Sequence, residues 1–77
     1  MITKITQYLV CQGRVIHYDQ KTQTGFIHGF DSNEYSFLIP EWQNEHEPKV
    51  GMIVNFRINE KEAIHVRLNQ RQPFVTV

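Results

Sequence analysis

Hydrophobic and polar residues alternate with a period of two through much of the chain. The alternation is clearest in three runs, at residues 34–39, 52–58 and 62–68. The apolar positions of these runs are mostly β-branched or aromatic, as in a strand with one buried face. Two earlier strands are predicted at 11–19 and 23–29, so five strands account for most of residues 11–68.

Polar segments separate the predicted strands. Turns are expected at 19–22, 30–33 and 59–61, where Asp, Asn and Ser favour tight reversals. The longest irregular segment, 40–50, begins at Pro40 and contains Pro48, and both residues disfavour a continuing strand. Residues 1–10 and 69–77 have no place in the pattern.

Five short strands predict a small, closed, antiparallel β-barrel. An open sheet of this size would leave an exposed edge and one uncovered face, whereas closure lets every strand share one core. A two-sheet β-sandwich shows the same alternation and stays open as an alternative. The residues expected in the core are Val15, Ile27, Tyr35, Phe37, Val54, Phe56, Ile58, Ile64 and Val66.

Length and composition limit the possible functions. The 77 residues allow one domain, expected to span 1–77 with its barrel at about 12–68. Eight basic residues balance eight acidic ones, which excludes a uniformly basic nucleic-acid binder but not a local basic patch. The single cysteine, Cys11, excludes an internal disulfide and is expected to be a small buried apolar residue. No apolar run approaches the length of a membrane span, so we expect a cytoplasmic protein without membrane contact.

Catalytic and metal chemistry have little support in the sequence. No glycine-rich phosphate loop, Ser-His-Asp arrangement or H-E-x-x-H helix is present, so an enzyme is not expected. The spacing of the four histidines and Cys11 fits no metal-ligand pattern. We therefore expect neither a metal nor another cofactor.

Several segments resemble the cold-shock domain family. Residues 13–19, G-R-V-I-H-Y-D, are similar to the family's opening strand G-x-V-K-W-F-N. Residues 22–27 lie where the family has its first ribonucleoprotein motif, K-G-F-G-F-I, and residues 34–39 where it has the second, D-V-F-V-H-F. Residues 50–56 and 63–66 are similar to its fourth and fifth strands, so the resemblance covers residues 12–68.

The resemblance implies a five-stranded antiparallel barrel of the OB-fold type that binds single-stranded RNA or DNA. In such binding, exposed aromatic rings stack on bases and basic side chains contact phosphates. The implied site lies on the outer face of the first three strands. Its candidate residues are the rings of Phe26, His17 and Tyr18 together with Lys21, Arg14 and His28. Arg67 is a further candidate for a positive rim.

The chain departs from the family mainly at positions that hold the ligand. Ile16 replaces a lysine, Thr24 and Ser36 replace phenylalanines, and Leu38 replaces a histidine. Loss of three stacking platforms would cost about 3–9 kcal/mol of binding free energy, so weak binding is expected.

Other interpretations of these residues stay open. Ile16, Leu38 and Ile53 are expected to be apolar and outward-facing, which suggests a protein-interaction or dimerisation module instead. The alternative interpretation of Phe26 is a ring that packs under a loop or a partner. Trp42 is expected to cap an open end of the barrel.

Overall fold

The computed structural model describes residues 10–69, which form a closed five-stranded β-barrel. Its strands are β1 (Cys11–Asp19), β2 (Thr24–Gly29), β3 (Glu34–Leu38), β4 (Ile53–Asn59) and β5 (Glu62–Leu68). A short 3-10 helix, Ile39–Glu41, follows β3. Closure in the order β1-β2-β3-β5-β4 confirms the predicted all-β barrel and excludes the two-sheet sandwich. Residues 1–9 and 70–77, where the sequence pattern gave no assignment, lie outside the described part of the chain.

The barrel is mixed, so the prediction of a purely antiparallel sheet is wrong. Four neighbouring pairs are antiparallel, but β3 and β5 run parallel, with Ser36 opposite Glu62. Strand direction must alternate around an antiparallel ring, and alternation cannot close on an odd number of strands. One parallel pair is therefore unavoidable in a five-stranded barrel with otherwise antiparallel neighbours.

The centre of the barrel contains most of the predicted core residues. Seven of the nine are buried, namely Val15, Ile27, Tyr35, Phe37, Val54, Phe56 and Val66. At one end, the Phe37 ring lies between Tyr18, with a centroid distance of 6.2 Å, and Trp42, at 5.6 Å. Trp42 is 8% exposed, and its indole Nε1–H donates to the His46 carbonyl at 2.6 Å, as expected of a residue that caps the barrel.

A β-bulge on β5 explains one of the two errors in the predicted core. Asn55 pairs with Arg67 and Arg57 pairs with Ile64, so β5 contains one more residue than β4 between these pairs. His65 is this extra residue, and its backbone has a positive φ of 52°. The bulge reverses the inward-outward phase of β5, so Ala63 is fully buried and Ile64 is only half-buried.

The second error is Ile58, which is 40% exposed although it was expected in the core. Ile58 pairs with the buried Ala63, so the two residues share the inner side of the sheet. It lies one residue before the end of β4, followed by the exposed Asn59 and the turn to β5. The inward side of a strand is buried only where the opposite wall of the barrel covers it.

The turn between β2 and β3 is stabilised by the Asp31 carboxylate. Asp31 accepts hydrogen bonds from the Tyr35 hydroxyl at 2.5 Å and from the Asn33 backbone N–H at 3.1 Å. The Tyr35 hydrogen bond is the main reason that the pKa of Asp31 lies below its ordinary value. The turn is therefore tied to a tyrosine whose ring is part of the core.

Candidate nucleic-acid interface

The outer face of β1–β3 is organised by a second β-bulge, at Ile16. Val15 pairs with Ile27, and the next pair is His17 with Phe26, so Ile16 has no partner on β2. Ile16 and His17 consequently both lie on the exposed side of β1, while Val15 is buried. The bulge thus places a histidine ring beside Phe26 that strict alternation would have turned inward.

Phe26 and His17 form an exposed pair of rings at the centre of this face. Phe26 is 40% exposed although it lies in the middle strand, β2. The centroid of the His17 ring is 6.1 Å away, and the ring planes are inclined by 33°. On the other side, Phe26 is opposite Ser36, whose small side chain gives little cover to the ring. Both rings therefore present apolar surface to solvent.

Charged residues lie on the same face, in the next row of side chains paired across β1, β2 and β3. Arg14 is opposite His28, which is in turn opposite Glu34, and all three are exposed. Arg14 and His28 therefore lie beside the ring pair, together with the Glu34 carboxylate. The face has no strong positive charge.

Two of the predicted site residues, Tyr18 and Lys21, lie outside the ring pair, although both line one cavity together with His17. Tyr18 is half-buried and its ring stacks on Phe37, so it contributes mainly to the end of the core. Lys21 is exposed in the turn between β1 and β2, where its backbone N–H donates to the Asp19 carboxylate at 2.9 Å. Of the six predicted residues, Phe26 and His17 pair directly, with Arg14 and His28 beside them on the same face. Tyr18 and Lys21 join His17 in a separate cavity that Asp19 and Glu47 also line.

The predicted apolar strip does not form as an exposed surface. Ile16 and Leu38 are 38% and 49% exposed, but Ile53 is only 8% exposed. Ile53 is opposite Arg14, which places it on the outer side of β4, so the prediction of its direction was sound and that of its exposure was wrong. The burial of Ile53 depends on which residues cover the outer side of β4, and the alternation of polar and apolar residues carries no information about that cover.

Comparisons with known proteins identify no family for this chain. No protein-family model matches it, and no curated protein matches it significantly. Within residues 10–69, no group of three histidine, cysteine, aspartate or glutamate side chains is arranged to hold a metal ion. No helix in the same residues is both long and apolar enough to cross a membrane.

Sequence reasoning missed a second group of polar residues, on β4 and β5. Arg57 and Arg67 line one cavity on the outer side of this strand pair, together with His65. Arg67, a candidate for the rim of the first face, pairs with Asn55 and belongs to this cavity instead. The alternation of polar and apolar residues predicts that Arg67 faces outward. Its proximity to Arg57, however, depends on how β4 and β5 pair.

Proposed function

We propose that the outer face of β1–β3 binds single-stranded nucleic acid, weakly and with little sequence selectivity. The exposed Phe26–His17 ring pair is the observation that supports this proposal. A flat aromatic ring in the middle of a sheet offers a stacking surface for a base, and every base has a stacking face. The resemblance to cold-shock domains points to the same face and the same ligand.

Stacking, more than charge, would supply the affinity. Arg14 lies one row from the rings, but Glu34 occupies the same row, and Asp19 lies at the far end of β1. A strand of phosphates would therefore gain few net favourable contacts. We expect a shallow salt dependence, with a log–log slope of about −0.7 for each phosphate contacted.

A protein-interaction or dimerisation function has less support. It depended on an apolar strip that included Ile53, and Ile53 is covered. The two members of that strip that stay exposed, Ile16 and Leu38, lie on β1 and β3 with β2 between them. Scattered apolar residues of this kind are common on protein surfaces.

The proposal is tested by titrating the full chain with oligothymidine and oligouridine at low salt, followed by NMR. We expect saturable shifts in residues 14–28. The Phe26→Ala variant should bind about 5–150-fold more weakly, which corresponds to the loss of about 1–3 kcal/mol of stacking. Light scattering on the same samples reports whether the chain associates with itself.

Phe30→Ala is the matched control, because Phe30 is 56% exposed and lies in the turn after β2, outside the ring pair. Equal effects of the two substitutions would show that exposed phenylalanines bind non-specifically. The absence of any shift in residues 14–28 at millimolar oligonucleotide would contradict the proposal.

A further inference from the structure

A second candidate binding site lies on the outer side of β4–β5, away from β2 and the ring pair. A cavity of about 630 Å³ opens there, a volume within the range typical of small-molecule sites. Its polar lining comes from Asn55, Arg57, His65, Arg67 and Asn69, and its apolar lining from Val10, Phe56 and Leu68.

The lining is positively charged in a chain whose formal net charge is zero. Arg57 and Arg67 contribute two positive charges, and no aspartate or glutamate is among the lining residues that the structure describes. Within residues 10–69, neither arginine has a carboxylate partner. Two acids lie nearby: Glu41, whose Oε1 accepts from the His65 backbone N–H at 3.1 Å, and Glu62, which pairs with Asn59 on the same side of the hairpin as Arg57. No described residue therefore forms an ion pair with either guanidinium group.

Hydrogen bonds fix the direction of several lining side chains. Arg67 donates from Nε to the Gln43 Oε1 at 3.1 Å, and neither terminal nitrogen of its guanidinium bonds to a residue in the described part of the chain. Gln43 Nε2 also lies 3.2 Å from His65 Nδ1. Asn69 donates from Nδ2 to Asn55 Oδ1 at 2.9 Å. One wall of the cavity is thus partly preorganised, which lowers the entropic cost of binding.

The bulge on β5 completes this arrangement. Because His65 is the extra residue of the bulge, solvent contact is shared by Ile64, His65 and Arg67, while Val66 stays buried. Arg57 is brought opposite Ile64 by the same shift in register. The local irregularity therefore decides which β5 residues share the cavity with Arg57.

We propose that this cavity binds the phosphate group of a nucleotide. Arginine matches the geometry of phosphate oxygens through paired N–H donors, and two arginines provide the charge for a doubly charged phosphomonoester. The apolar side chains of Val10 and Leu68 offer a surface for the rest of the ligand. A free nucleotide and the terminal phosphate of a strand share this chemistry. The inference does not depend on the proposed function, because the two sites use different strands.

The test is an NMR titration of the full chain with inorganic phosphate, uridine 5′-monophosphate, uridine, and an oligouridine with or without a 5′-phosphate. We expect saturable shifts in residues 55–69 with the monophosphate and none with uridine. If only the 5′-phosphorylated strand produces them, the source is a strand terminus and the proposal stands. If phosphate-bearing ligands shift only residues 14–28, or nothing at millimolar concentration, the proposal is overturned.

Arg57→Gln is the decisive variant, because the Arg57 side chain has no hydrogen-bond or ion-pair partner among the described residues. We expect it to weaken monophosphate binding about tenfold or more, as for the loss of a charged hydrogen bond. Lys49→Gln, which removes one exposed positive charge from the loop before β4, should have no such effect. Arg67→Lys keeps the charge but not the paired donors, and it should also bind more weakly. Equal losses in Arg57→Gln and Lys49→Gln would show attraction to overall charge only and overturn the site.

Discussion

Gly25 is a position where a single added methyl group should measurably lower stability. It lies on β2, opposite Phe37 on β3 and Tyr18 on β1. A Cβ atom added here would lie 2.5 Å from Phe37 Cε1 and 2.9 Å from the His17 carbonyl oxygen. Both separations are far below van der Waals contact. Gly25→Ala therefore requires movement of the Phe37 ring or of the β1 backbone.

The Phe37 ring has little freedom to move. It is 1% exposed and lies between the rings of Tyr18 and Trp42. Overpacking of a well-packed core costs about 1–3 kcal/mol. An alanine also restricts the unfolded chain, which offsets about 0.4–1 kcal/mol of this cost. We expect a net loss of about 1–2 kcal/mol, equivalent to a fall in Tm of about 4–16 °C for a domain of this size.

The assay is urea and thermal unfolding followed by the fluorescence of Trp42, which is the only tryptophan in the chain and contacts Phe37. A double-mutant cycle with Phe37→Leu isolates the cause, because leucine lacks the ring atoms that the new methyl group would meet. We expect Gly25→Ala to cost at least about 0.5 kcal/mol less in the Phe37→Leu background. Additive costs, or a neutral Gly25→Ala variant, would refute the steric explanation.

Two further predictions concern acid stability and the barrel cap. Because hydrogen bonding from Tyr35 lowers the pKa of Asp31 in the folded state, the carboxylate stabilises the fold at pH values above its ordinary pKa of 3.8. This contribution is lost as the pH falls through the lower, folded-state pKa. Asp31→Asn should therefore show a smaller fall in urea midpoint than the wild type between about pH 6 and pH 2, and equal falls would contradict the assignment. Trp42→Phe should lose about 1–2 kcal/mol of unfolding free energy, measured by circular dichroism, since it removes the hydrogen bond to the His46 carbonyl and part of a buried ring. A change below about 0.5 kcal/mol would show that Trp42 does not cap the core.

The candidate sites were less predictable than the strands, because they depend on which strands become neighbours. The resemblance suggested Phe26 as a candidate, but its pairing with His17 required the bulge at Ile16. The cavity on β4–β5 was not predicted at all. Arg57 and Arg67 are ten residues apart in the sequence. They line the same cavity only because β4 and β5 form a hairpin with a shifted register.

The sequence by itself determined the five strands and most of the core, because side-chain direction in a strand alternates regardless of the rest of the fold. It did not determine the phase of that alternation beyond a bulge, so Ile64 was assigned to the wrong face. Nor did it determine exposure at strand ends or beneath a covering segment, as at Ile58 and Ile53. Those features, and the parallel contact between β3 and β5, were decided only when the barrel closed, because closure sets which surfaces meet.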